Sequence, residues 1–151
     1  MLSGVLLKNT LPHRGYALLV DKVELNEDGL TATGYYCIIA ENNPILQGHF
    51  PGNPVFRGVD VIEIANLTAA CLAKPKLKEG FALPILRGLD GIKLRGTAKP
   101  GDTLVAKVKL LQEKNGLIFT FSAEITNNRG EKIAQIGKIT GVAVSQDQIG
   151  A

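Results

Sequence analysis

Cysteine is scarce in this 151-residue chain, and the two present, Cys37 and Cys71, lie far apart in apolar surroundings without a CxxC spacing. A disulfide framework or a thiolate zinc site needs more thiols, closer together, so both read as reduced core residues. Histidine also occurs only twice, at His13 and His49, and no cluster supplies three metal ligands at a usable spacing. Long apolar runs are missing too: no window approaches the roughly 20 residues of a membrane span. The opening MLSGVLLKNTLPHRG has no basic segment and too short an apolar core for a signal peptide, which leads us to expect a cytoplasmic protein. No basic run is interleaved with aromatics, and the net charge of +3 is spread along the chain, which argues against nucleic acid. Such a mildly basic surface suits an acidic partner. GxSxG, the P-loop and the dinucleotide fingerprint are all absent. The chemistry would have to run on a histidine, a carboxylate and backbone amides, with no cofactor and no metal.

What is present describes one ordinary globular domain over residues 1–151: 45% hydrophobic, 21% charged and a mean hydropathy of +0.12. A chain of this length buries roughly two-thirds of its unfolded surface without staples. Residues 17–25 and 30–40 read as strands joined at Asn26-Glu27-Asp28-Gly29, a hairpin signal. Glu41 to Gly58, with two Asn-Pro pairs, Pro51 and several glycines, reads as loop. Val59 to Ala73 has no glycine or proline and is apolar nearly all round, so it predicts a buried helix that ends at Lys74-Pro75.

Three or four more strands are expected, over 85–95, 103–112, 117–126 and 131–144, with Lys99 to Asp102, Asn115-Gly116 and Asn127 to Gly130 as hairpin turns. Leu104, Ala106, Val108 and Leu110 alternate with Val105, Lys107 and Lys109, as a strand with one buried face requires. The fold class is α+β, and the economical arrangement is an antiparallel sheet curled around that single helix.

Glu63 is a lone carboxylate in the apolar helix, one turn after Asp60 and about one turn before Asn66 and Leu67. It is either a solvent-facing edge of the helix or a buried acid whose pKa desolvation raises toward neutrality. Asp60 suits the helix start, as a cap or as a second carboxylate at the site. The amides near Gly58 and Val59 form a natural site for a developing oxyanion. His49, in Gly48-His49-Phe50-Pro51-Gly52, sits on a mount stiffened by proline and opened by glycine, which suits a positioned base. His13 reads as a structural hydrogen-bonding residue at a chain crossing.

With these residues in view, the chain resembles the 3-hydroxyacyl-[acyl-carrier-protein] dehydratases of the FabZ type. Leu11-Pro12-His13-Arg14 followed by residues 18–23, LLVDKV, is similar to that family's opening signature. Residues 43–54, NPILQGHFPGNP, are similar to its catalytic loop, and Gly58-Val59 with Glu63 to the start of its central helix. The resemblance implies a hot-dog fold and loss of water from a (3R)-hydroxyacyl thioester. His49 would remove the C2 proton, Glu63 would protonate the C3 hydroxyl, and the Gly58 amide would polarise the carbonyl. It also implies a homodimer whose sites take His49 and Glu63 from opposite subunits, often as a trimer of dimers, and an acyl carrier protein as partner. Lys93, Arg95 and Lys99 are candidate contacts for that carrier on charge alone.

Four sites depart from the family pattern. Arg57 stands for the usual proline, Asp60 for leucine, Leu67 for glutamine, and Tyr16-Ala17 for Pro-Phe. Arg57 could neutralise Asp60 or bind a phosphate, and Leu67 removes a polar partner that orients the acid, so the chain reads as a divergent member. A hot-dog acyl thioesterase and a non-catalytic acyl-carrier-binding subunit are the competing readings.

Overall fold

The computed structural model describes residues 1–149, so the last two positions of the expected domain lie outside the described residues. Two short elements, β1 (Leu2–Ser3) and α1 (Gly4–Thr10), lead into the hairpin β2 (Lys22–Leu25) and β3 (Thr31–Cys37). After α2 (Pro44–Gly48) comes the long helix α3 (Gly58–Ala73). The strands β4 (Phe81–Leu94), β5 (Thr103–Lys114), β6 (Ile118–Thr126) and β7 (Lys132–Ser145) complete one sheet. Its order is β1-β2-β3-β5-β6-β7-β4, and every neighbouring pair is antiparallel.

The sheet curls around α3, which packs on β3, β4, β5, β6 and β7. Ile64, Leu67 and Cys71 of the helix and Leu104, Phe119 and Ile125 of the sheet are completely buried. On β5 the expected alternation holds: Leu104, Ala106, Val108 and Leu110 are buried, while Lys107 and Lys109 face out. β3 comes so close to the helix that a Cβ on Gly34 would lie 1.9 Å from Thr68 Oγ1. Only glycine permits that approach.

The sequence reading needs five corrections in the fold. The first 16 residues, to which the sequence reading assigned no element, form β1 and α1, and the segment read as loop contains α2. Asn43 caps α2 by accepting from the Ile45 amide over 3.0 Å, and Pro44 occupies the first helical turn, where a missing N–H costs nothing. Regular pairing in the first hairpin begins only at Lys22, because Gly15–Ala17 forms a 3₁₀ turn. The turn at Lys99 to Asp102 is not a hairpin: it joins β4 to β5, which do not pair, and it docks instead on Ile38 through two backbone hydrogen bonds. Cys37 is exposed rather than in the core, because it ends β3 where the pleat turns its side chain outward. Cys71 is buried as expected, and burial pushes its thiol pKa up to about 12.

Candidate active site

Glu63 projects from the middle of α3, half-buried in the single chain. Asn66, one turn on, donates from Nδ2 to Glu63 Oε1 over 2.8 Å. Leu67, which stands where the resemblance expects a glutamine, is wholly buried and faces the core. Asn66 thus supplies the polar contact that Leu67 lacks. The sequence reading placed it about one turn after Glu63 but gave it no role; the i, i+3 spacing was the available signal.

Glu63 and Asn66 lie between two cavities. One, of about 380 Å³, is walled by Tyr16, Leu19, Val59, Ile62, Leu86 and Leu89, with Asp60 also on its lining. The other, of about 520 Å³, runs past Leu67, Ala70 and Leu83 to His13 and Gln148. Apolar walls with a few convergent polar groups suit a ligand that is mostly hydrocarbon.

Asp60 does not cap the helix. Its carboxylate is buried and held by Arg57, with Nε to Oδ2 at 2.8 Å and Nη2 to Oδ1 at 3.0 Å. Arg57 occupies the cap position without making a side-chain cap bond, and pairing with Asp60 raises the pKa of its guanidinium. The structure shows Arg57 in the first of the two roles open to it, neutralising Asp60. The first amides of α3 to bond backward are those of Asp60 and Val61, both to the Arg57 carbonyl. Gly58 and Val59 therefore lead the helix with amides that need partners from outside it. Val59 is 64% exposed, and a Cβ on Gly58 would lie 2.6 Å from Leu94 Cδ1, so the end of β4 lies against this helix start.

His49 ends α2 on the far side of a tight loop. Its ring Nδ1 lies 2.8 Å from the Val55 carbonyl oxygen, and its carbonyl accepts from the Val55 amide over 2.7 Å. A carbonyl can only accept, so the neutral ring carries its proton on Nδ1 and leaves Nε2 as the basic nitrogen. Phe50 stacks on the ring with centroids 4.2 Å apart. This contact had no sequence signal at Val55, because that residue contributes only its backbone carbonyl.

Among the described residues, neither of these two cavities includes His49. His13 does share a cavity with Glu63. The expected structural hydrogen bond is not made at its Nδ1, which is buried without a partner. Burial lowers its pKa, the Glu63 charge works against that, and Arg14 adds to the lowering. Among the described residues no three His, Cys, Asp or Glu side chains gather to hold a metal ion. No helix there is long and apolar enough to cross a membrane.

A curved sheet around one helix, with a carboxylate at an apolar cavity, defines a hot-dog protein, and comparison with known proteins gives the family. Residues 26–135 match the model of the ApeI-like family, described as ApeI dehydratase. The 3-hydroxyacyl-[acyl-carrier-protein] dehydratase FabZ of Chloroflexus aggregans is 36% identical over 117 residues, covering 78% of this chain and 81% of that protein. FabZ of Acetivibrio thermocellus is 35% identical over 142 residues, covering 90% of this chain and 96% of the relative. Among solved structures, the dehydratase heterocomplex ApeI:P from Xenorhabdus doucetiae superposes with a TM-score of 0.73 at 15% identity, over 95% of this chain and 93% of its own. A hypothetical thioesterase with coenzyme A from Streptococcus pneumoniae TIGR4 gives 0.62 at 11% identity, over 85% and 90%. These two likenesses show the fold. The chain belongs to the hot-dog dehydratase family of FabZ and ApeI, and it is a hydro-lyase.

Proposed function

We propose that this protein is a cytoplasmic (3R)-3-hydroxyacyl-[acyl-carrier-protein] dehydratase of fatty-acid or related lipid biosynthesis. His49 Nε2 takes the C2 proton and Glu63 gives its proton to the C3 hydroxyl, leaving the trans-2-enoyl thioester and water. The leading amides of α3, at Gly58 and Val59, polarise the thioester carbonyl. No cofactor takes part beyond the phosphopantetheine arm that carries the substrate.

The observation that carries this reading is the division of labour within one chain. The Val55 carbonyl fixes the tautomer of His49, Asn66 holds Glu63 at an apolar cavity, and the two residues line no common pocket of that chain. In this reading a second copy brings its His49 to this Glu63, as the family resemblance implies. β4 is well placed to pair with that copy, because it is a 14-residue edge strand whose end lies against the start of α3. The assembly is thus a homodimer with two composite sites, and a trimer of dimers is the larger form that the family resemblance implies. Lys93 and Arg95 flank Leu94, which meets Gly58 at the start of α3, and with Lys99 they are exposed and suit an acidic carrier.

The test follows enoyl absorbance as the purified protein hydrates a crotonyl thioester. His49→Ala and Glu63→Gln should each lose roughly 10²-fold to 10⁴-fold in rate while remaining dimeric. Co-refolding the two variants should restore about a quarter of the wild-type sites, because half of the dimers are mixed and each mixed dimer holds one intact pair. Near-wild-type rates in both single variants would overturn the assignment. Free thiol release without change in the enoyl group would point to thioester hydrolysis instead. Failure of the mixture to regain activity would place both residues in one subunit.

A further inference from the structure

Glu63 stands between two cavities that run in opposite directions along α3. The smaller lies toward the start of the helix, at Val59 and Ile62, and the larger, of about 520 Å³, follows the helix the other way past Leu67 and Ala70. β4 borders the larger cavity from Leu83 to Leu86. Leu86 also lines the smaller cavity, so it marks the Glu63 end, and Leu83 lies toward the end away from the acid.

That far end is closed by the last turn of the described chain. Ser145 pairs with Phe81, so β7 leaves the sheet beside the first residue of β4, and the 3₁₀ turn Gln146–Ile149 that follows packs on both strands. Gln148 fastens the turn: its Oε1 accepts from the Ser145 amide over 2.8 Å and from the Ser145 hydroxyl over 3.3 Å. Ile149, half-buried, completes the lining next to it. With Ala70 and Leu83 it makes this end of the cavity largely apolar, which suits the methyl end of a hydrocarbon chain.

We propose that Ile149 is the floor of the acyl site and sets the chain length of the substrate. This rests on the dehydratase reading above. With the thioester carbonyl at the Gly58 amide and the C3 hydroxyl at Glu63, the reacting carbons run along α3 from its start. C4 and the carbons after it continue in the same direction, into the larger cavity. From Glu63 to Ala70 is about two turns of helix, or about 10 Å. An extended chain advances about 1.1 Å per bond, as an extended backbone does, so roughly nine carbons beyond C3 fill that length before they meet the turn. A longer chain has to displace Ile149, and a much shorter one leaves the apolar floor uncovered.

The test measures kcat/KM for dehydration of C4, C8, C12 and C16 3-hydroxyacyl thioesters by wild type, Ile149→Ala and Ile149→Trp. The C4 chain ends one carbon beyond the reacting centre, so all three proteins should turn it over within about twofold of one another. Ile149→Ala deepens the cavity, and the ratio of C16 to C8 should rise about tenfold, since each methylene newly buried contributes about fourfold. Ile149→Trp raises the floor, and the ratio of C12 to C4 should fall about tenfold. A wild-type length profile in either variant, or an equal loss at every length including C4, would overturn the proposal. Should the tryptophan variant fail to fold, the profile of Ile149→Ala decides alone. A wild type that dehydrates no chain of any length would instead overturn the dehydratase reading itself.

Discussion

Asn66 stands one turn beyond Glu63 on α3 and donates to its Oε1 over 2.8 Å. Position 67, where relatives of this type are expected to carry the orienting glutamine, holds a leucine that is wholly buried. The support for the acid has moved by one residue, from a wholly buried position that lines only the larger cavity to a half-buried one that lines both.

Removing that support should slow the chemistry and leave the fold alone. Asn66 is only partly buried, so Asn66→Ala leaves little void. A hydrogen bond to a charged group contributes about 1.5–3 kcal/mol, so kcat for crotonyl hydration should fall roughly 10-fold to 100-fold with KM nearly unchanged. Adding Leu67→Gln should not rescue it, because position 67 is wholly buried and lines only the larger of the two cavities that Glu63 borders. Restoration by the double variant would show that the helix can present position 67 to the acid after all.

His13 should make stability depend on pH. Burial lowers its folded pKa below the ordinary 6.5, so between the two values the unfolded chain binds a proton that the folded chain does not. Its contribution is therefore complete above pH 6.5 and is lost as pH falls through the folded value. Thermal unfolding measured from about pH 7 to about pH 5 should show a midpoint that drops on acidification, and His13→Asn should flatten that drop. Parallel curves for the two proteins would mean that His13 titrates alike in both states. Glu63→Gln removes the one charge that opposes the lowering, so the loss should extend to lower pH in that variant.

Much of this molecule was legible before its structure. The long helix was recognisable because residues 59–73 contain nothing that breaks a helix and are apolar all round, and β5 because its lysines alternate with aliphatic residues. Features made by tertiary contact were not legible. The turn at Lys99 to Asp102 has the composition of a hairpin, but its partner is Ile38, distant in sequence. Asp60 looked like a cap because of its place near a helix start, and the arginine that captures it is a side-chain choice that position alone does not reveal. At the site, Glu63 and His49 stood out as residue types in unusual settings. The Val55 carbonyl and the unpaired nitrogen of His13 carry no such mark, since any residue has a carbonyl and the burial of one ring atom depends on the whole fold.

Gly34 and Thr68 form the tightest point between sheet and helix. A Cβ at Gly34 would sit 1.9 Å from Thr68 Oγ1 and 3.1 Å from its Cβ, and Thr68 is fixed by a bond from Oγ1 to the Ile64 carbonyl. Gly34→Ala should therefore push β3 off α3 and cost about 1–3 kcal/mol, as overpacked cores do. Thr68→Ala removes the nearer atom and leaves the farther, so the pair Gly34→Ala/Thr68→Ala should recover part of the loss. Chemical denaturation of the four proteins checks this. Additive effects would show that the two side chains do not meet.

Arg57 and Asp60 should be coupled more strongly than a surface pair. Asp60 is 7% exposed on the wall of the smaller cavity, and both of its oxygens are held by Arg57. Removing the arginine leaves a carboxylate that is mostly buried and no longer neutralised, which costs more than the pair itself contributes. The Arg57 side chain is 38% exposed, so solvent screens part of that cost and places it near the low end, about 1–2 kcal/mol. For a chain of this size that is a fall of roughly 2–8 °C in Tm for Arg57→Ala. Adding Asp60→Leu replaces the orphaned charge with an apolar group of suitable volume and should bring most of the stability back. The double variant would also leave Glu63 as the one carboxylate on the wall between Tyr16 and Leu89, so straight-chain substrates should gain in kcat/KM relative to polar ones. A double variant less stable than Arg57→Ala would show that the carboxylate has a partner besides Arg57.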